Sequence, residues 1–168
     1  MESKRDLKTI LERRRVIFGQ KPETARYVPK VVTQWKGGLR NENAIRNHTV
    51  VSDYPVPSGG ADAAANPMEL LLAALGSCVS AVYVEYAALL DVTLDGVTVE
   101  LEGEIDLRGL FNVAAVESGF QSITYTVRLE TGAPREKVDE LIRLADEHCP
   151  VSDSLKRQVA VNKSVAVA

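Results

Sequence analysis

The stretch from Met68 to Leu90, MELLLAALGSCVSAVYVEYAALL, is the feature that most limits what this chain can fold into. It is long enough for about six helical turns and apolar on every side. Its start carries three agreeing helix signals. Asn66 supplies a cap, Pro67 suits the first helical position, and Glu69 is spaced to close a capping box. A helix apolar all round is either buried or crosses a membrane. Glu85 within it, the hydroxyls of Ser77 and Ser80, and the absence of basic flanks favour a buried central helix and no membrane span.

The rest of the chain must supply the cover. With 168 residues it holds one domain, or one domain and an appendage. Apolar residues at 45% and charged residues at 26% exclude a disordered chain. Twenty Lys and Arg against 23 Asp and Glu leave a net charge of −3, so nothing global draws the chain to nucleic acid or anionic lipid. The start, Met1 to Arg5, leads into a charged helical pattern rather than the apolar run of a signal peptide. A cytoplasmic protein is expected, with Cys78 and Cys149 as reduced thiols.

Leu7, Ile10, Leu11, Ile17 and Phe18 predict a helix over 4–18, its apolar face interrupted by Arg14, with Gly19 and Pro22 as stop signals. Residues 26–28, 31–35 and 44–52 read as strands. In the last of these Arg46 and His48 would share one face. Residues 55–65 form a loop. Two alternating strands follow the central helix, one over 97–107 and one over 123–129, each with a wet and a core face as in an antiparallel sheet. Residues 108–120 connect them. A second helix starts at Pro134, carries Val138, Leu141, Ile142, Ala145 and Cys149 on one stripe, and stops at Pro150. A short helical turn over 152–157 and a last strand over 159–167 complete an α+β domain.

Taken singly, each cysteine reads as a small buried hydrophobe. Taken together, two cysteines on the inward faces of two helices could meet across the core, and in a reducing compartment such a pair suits redox or metal chemistry. Redox work needs a thiolate. The central helix dipole has faded by Cys78, so an arginine from an upstream strand, Arg40 or Arg46, is the candidate source of positive charge. Zinc could draw on Cys78, Cys149, His148 and His48, but no C-x2-C or H-x3-H pair is present. His148 more simply bonds the last carbonyls of its helix.

The string Asn66-Pro67-Met68-Glu69-Leu70-Leu71-Leu72-Ala73-Ala74-Leu75-Gly76-Ser77-Cys78 resembles the first-cysteine helix of the OsmC/Ohr proteins, the osmotically inducible and organic-hydroperoxide-resistance thiol peroxidases. His148-Cys149-Pro150-Val151-Ser152 is similar to their second-cysteine motif, and Gly37-Gly38-x-Arg40 resembles the turn that carries their arginine. The resemblance covers residues from about Thr24 onward and fits the broader OsmC-like branch. It leaves 1–22 as an N-terminal helical extension and 23–168 as the OsmC-like domain.

The resemblance implies a curved antiparallel sheet wrapped around two central helices, in an intertwined homodimer with active sites at the subunit interface. It implies that Cys78 is the peroxidatic and Cys149 the resolving cysteine, that a dithiol reductant (lipoyl-type or other) restores them, and that no metal, haem or flavin is needed. Arg40 would support the thiolate and Glu69 would align it, with Arg46 and His48 as further candidates. In the peroxidases the aligning acid directly follows Asn-Pro, where this chain has Met68. Leu71, Leu75, Val79 and Val82 would wall an apolar pocket. The competing function is a lipid- or small-molecule-binding or redox-sensing protein with little turnover.

Overall fold

The computed structural model describes residues 4–167; residues 1–3 and 168, which the expected extension and domain include, lie outside them. Helix α1 spans Lys4–Gln20, and a short 3-10 turn follows at Pro22–Ala25. Strands β1 (Val32–Trp35), β2 (Asn41–Ile45) and β3 (His48–Ser52) form an antiparallel sheet in sequence order. The central helix α2 is Pro67–Leu89. A second antiparallel sheet pairs β4 (Gly96–Ile105) with β5 (Phe120–Glu130), and one short turn of helix, α3 (Leu107–Leu110), lies between them. Helices α4 (Arg135–His148) and α5 (Pro150–Lys156) end the regular structure.

The cap of α2 forms as its residues predict. The Asn66 side chain accepts the backbone N–H groups of Met68 (2.9 Å) and Glu69 (3.0 Å), and the Glu69 carboxylate accepts the N–H of Asn66 at 2.7 Å. At the other end Asp91 takes a positive φ of 54°, and the buried Val92 donates its N–H back to the carbonyl of Ala87. That bond closes the helix in the manner of a Schellman motif. From the turn so formed, Asp91 receives Lys8 of α1 at 2.6 Å, which pins α1 against α2.

The core lies between α2, α4 and the β4–β5 sheet. Leu75, Val79, Val82, Tyr83 and Ala87 of α2 meet Leu141, Ala145 and Cys149. The inward residues of the sheet, among them Val99, Leu101, Ile123 and Tyr125, close the cluster. The sheet comes close to the helix because Gly76 has no side chain; a Cβ there would stand 2.7 Å from the Leu101 methyl. Leu141 is fully buried, and α4 turns its ion pairs Arg135–Asp139 and Arg143–Glu147 outward.

Several expectations change. The run 44–52 is not one strand but a hairpin: Ile45 pairs with His48, and Arg46 sits in the turn at φ 55°. Arg46 and His48 therefore do not share a strand face. Residues 26–31 are irregular rather than a strand, and so are residues 158–167, whose alternating valines pair with no strand among the described residues. The central helix is not covered on all sides. Ala73, Ala74, Ser77, Ala81 and Val84 form an exposed stripe, and a trough of about 660 Å³ separates part of that stripe from the inner face of the β1–β3 sheet. By length and apolarity α2 could cross a membrane; in this fold it is the core helix.

Candidate functional site

Cys78 lies three turns into α2, and Cys149 is the single residue between α4 and α5. The spacing that puts Val138, Leu141, Ile142 and Ala145 on one stripe of α4 also turns Cys149 inward. Pro150 then prevents α4 from continuing and opens α5 in a new direction. The result is that the two sulfurs, 71 residues apart in sequence, stand 3.5 Å from each other, the Cys149 thiol donating to Cys78. Both cysteines are free. A disulfide bond is about 2.05 Å long, so a closure of about 1.5 Å joins them.

Cys149 is buried, whereas Cys78 is half-buried and open on one side. Burial pushes the Cys78 thiol above its ordinary value. The backbone N–H of Val151, in the first turn of α5, pulls it back down by hydrogen bonding to sulfur, while the Cys149 thiol and the Glu85 carboxylate push it up further. Among the described residues no cation of the same chain counters these effects.

The other candidates lie elsewhere. Arg40, at the end of the turn between β1 and β2, pairs with Glu42 at 3.3 Å, and its charge helps to hold the buried Asp53 below the usual carboxylate range. The larger causes for Asp53 are the backbone N–H groups of Ala63 and Tyr54 that bond its carboxylate. Arg46 is exposed in its hairpin turn and His48 is exposed on β3. Glu69 is the capping-box acid of α2 and points back to the helix start. His148 Nδ1 lies 2.9 Å from the carbonyl of Leu144, as a helix-end histidine does, and its ring packs on Tyr86 at 5.3 Å. No group of three or more His, Cys, Asp or Glu side chains among the described residues is placed to hold a metal ion.

Leu71 and Leu75 line a cavity of about 430 Å³ between α2, β5 and α5, which also takes in Met68, Phe120, Tyr125, Ser152 and Lys156. Leu75 is one turn before Cys78 and Ser152 follows Val151, whose amide faces the sulfur, but neither cysteine lines this cavity. Val79 and Val82 do not line it; both are core residues. The sequence reading missed Ser152 and Lys156, although Ser152 stands in the second-cysteine string and Lys156 is one helical turn further on.

Residues 59–164 match the family model described as OsmC-like protein. Among curated proteins no sequence matches significantly. Solved structures with the same fold include an OsmC-like protein from Mycoplasma pneumoniae, with a TM-score of 0.62 at 15% identity over 78% of this chain and 87% of that one. An organic hydroperoxide resistance protein OsmC from Legionella pneumophila has a TM-score of 0.59 at 21% identity, over 79% and 91% of the two chains. An organic hydroperoxide resistance protein from Elizabethkingia anophelis has a TM-score of 0.57 at 21% identity, over 79% and 90%. At such identities the likeness concerns the fold.

Proposed function

This chain belongs to the OsmC-like protein family, and from that premise we propose that it is a thiol-dependent peroxidase reducing organic hydroperoxides to alcohols. The observation that carries the reading is the 3.5 Å approach of Cys78 and Cys149, with Cys78 only half-buried. The Cys78 thiolate attacks the terminal oxygen of the hydroperoxide. The O–O bond breaks, Cys78 gains that oxygen as a sulfenic acid, and the alkoxide leaves and takes a proton to become the alcohol. The Cys149 thiol then attacks the sulfenic sulfur, forming the Cys78–Cys149 disulfide and releasing water. An external dithiol, lipoyl-type or other, reduces that bond by exchange and is itself oxidised to a disulfide.

The working unit is a homodimer in the cytoplasm. The exposed stripe of α2 and the trough beside it leave the central helix half covered. Trp35 is 71% exposed and Val32 61% exposed on an edge strand, and the valines of 158–167 are exposed and unpaired. A second copy supplies the missing cover. It also supplies the missing charge: Arg40 or Arg46, which in its own chain stands away from Cys78, reaches the sulfur of the other copy and lowers its pKa.

Stopped-flow oxidation of the reduced protein by cumene hydroperoxide and by H2O2 tests this. Wild type should react with the organic peroxide far faster than a free thiol does, Cys78→Ser should not react, and Cys149→Ser should accumulate a sulfenic acid. Arg40→Ala or Arg46→Ala should slow the first step. The enzyme reading fails if neither peroxide oxidises wild type faster than free thiol. The upward push on Cys78 favours one alternative, a lipid-binding or redox-sensing protein that oxidises slowly. It predicts a wild-type rate that Arg40→Ala and Arg46→Ala leave unchanged.

A further inference from the structure

Helix α1 lies outside the residues that the family model matches, yet it packs on the helix that carries Cys78. The Lys8–Asp91 pair at 2.6 Å fixes one end of that contact. Residues 11–18 of α1 then share a cavity of about 710 Å³ with residues 85–90 of α2, so the two helices run antiparallel. Arg15 is seven residues on from Lys8 along α1, and Glu85 is six residues back from Asp91 along α2. The register therefore places Arg15, with Arg14 beside it, across the cavity from Glu85. Glu85 in turn follows Cys78 by two helical turns, on the same face of α2 and about 10 Å along its axis.

The charges lining this cavity balance in number without touching. Arg14 and Arg15 come from α1, Glu85 from α2 and Glu140 from α4, and none of the four forms an ion pair among the described residues. Two other titratable groups line it with Glu85: Tyr86 of α2 and His148 of α4, whose rings pack together. Glu147 of α4 is held by Arg143 at 2.8 Å. Burial pushes the Tyr86 hydroxyl up, the Arg15 guanidinium pulls it down, and the Glu85 carboxylate adds to the rise. Both charges thus reach the same ring. Burial is the main cause that disfavours the Cys78 thiolate, and the Glu85 carboxylate adds to it as well.

Resting on the reading of Cys78 as the reacting thiol, we propose that Arg14 and Arg15 are positioning residues: they pair with Glu85 across the cavity and remove its charge from the field at the sulfur. The long arginine stem carries a guanidinium over such a gap, and its fork suits a carboxylate. Glu140 is the competing acid, and two arginines satisfy both. The N-terminal helix thereby sets one part of the reactivity of Cys78 without touching it.

Iodoacetamide alkylation of Cys78 across pH tests this in the full chain carrying Cys149→Ser, so that one thiol reports. A charge removed at about 10 Å shifts the midpoint by about half a pH unit, or about threefold in rate below it. Glu85→Gln should lower the midpoint by that amount. Arg14→Gln/Arg15→Gln should raise it by the same amount, and Arg14→Lys/Arg15→Lys should keep the parent value. Added to Glu85→Gln, the arginine changes should have no further effect. The shifts should shrink in about 1 M salt. Arginine variants that leave the midpoint unchanged, or move it equally with and without Glu85, overturn the proposal. A lower Tm at an unchanged midpoint marks a merely structural role and overturns it too. Alkylation needs no peroxide, so a wild type that reduces none sinks the peroxidase reading while this series still decides the proposal.

Discussion

Glu69 is the residue for which a structural and a catalytic role predict different numbers. In the capping box its carboxylate accepts the Asn66 N–H at 2.7 Å, and the Asn66 side chain satisfies two further donors of the first turn. Removing Asn66 as Asn66→Ala should cost about 1 kcal/mol, within the usual 0.5–2 kcal/mol for a cap. Glu69→Ala loses one bond and a negative charge at the helix start, together about 1 kcal/mol. Glu69→Gln keeps an oxygen able to accept the same N–H and loses only the charge effect, about 0.3–1 kcal/mol. For a chain of this length 1 kcal/mol moves Tm by about 2–4 °C, so thermal unfolding at fixed protein concentration should rank wild type, Glu69→Gln, then Glu69→Ala. Because the two residues satisfy each other, the double variant Asn66→Ala/Glu69→Ala should lose less than the sum of the singles. Stopped-flow oxidation of Cys78 on the same proteins supplies the contrast. If Glu69 only caps α2, Glu69→Gln oxidises within about twofold of wild type. A tenfold or greater loss of rate in Glu69→Gln, with Tm nearly intact, would refute this reasoning and return the carboxylate to the reacting centre.

Leu141→Ala opens the middle of the α2–α4 contact and should cost about 2–5 kcal/mol, read as a lower denaturation midpoint at unchanged m-value. Burial, with the Asp146 carboxylate beside it, pushes the Tyr83 hydroxyl up to about 12. One tyrosine should therefore ionise last in an ultraviolet titration. Because its folded pKa lies above the ordinary value of 10.0, its share of stability is full below pH 10 and is lost as pH rises toward 12. Tyr83→Phe should flatten that part of the stability curve. If the proposed homodimer forms through the exposed stripe, Ala74→Arg or Ala81→Arg should convert it to monomer in sedimentation or light scattering; a dimer mass that both variants keep would show that this face is not the contact.

What the sequence disclosed was mostly local. Asn66, Pro67 and Glu69 act within one helical turn, so their spacing alone specifies the cap. The inward position of Cys149 follows from the α4 stripe, and the meeting with Cys78 follows once both helices share a core. Arg46 was misread because an arginine at positive φ carries no turn signal of the kind Gly or Asn would. The valines of 158–167 alternate as a strand does, but a strand also needs a partner, and alternation says nothing of whether the chain's path brings the segment to one of the free sheet edges. The exposed stripe was hidden by its composition: alanines count as apolar, although a face of small side chains suits the close approach of another surface. Ser152 and Lys156 were invisible because only the path of the chain at Pro150 aims them across a cavity at α2.

Cys149 is the joint between two helices with no linker on either side. While it is a thiol, α5 is held to the body by packing and by the contact of Val151 with the other sulfur. Once its sulfur is bonded to Cys78, the same residue fastens α2, α4 and α5 at a single point. In the proposed cycle the oxidation state of one pair of atoms would thereby set how freely an entire helical corner can pivot, and a reductant would meet the disulfide at the spot where the backbone changes direction.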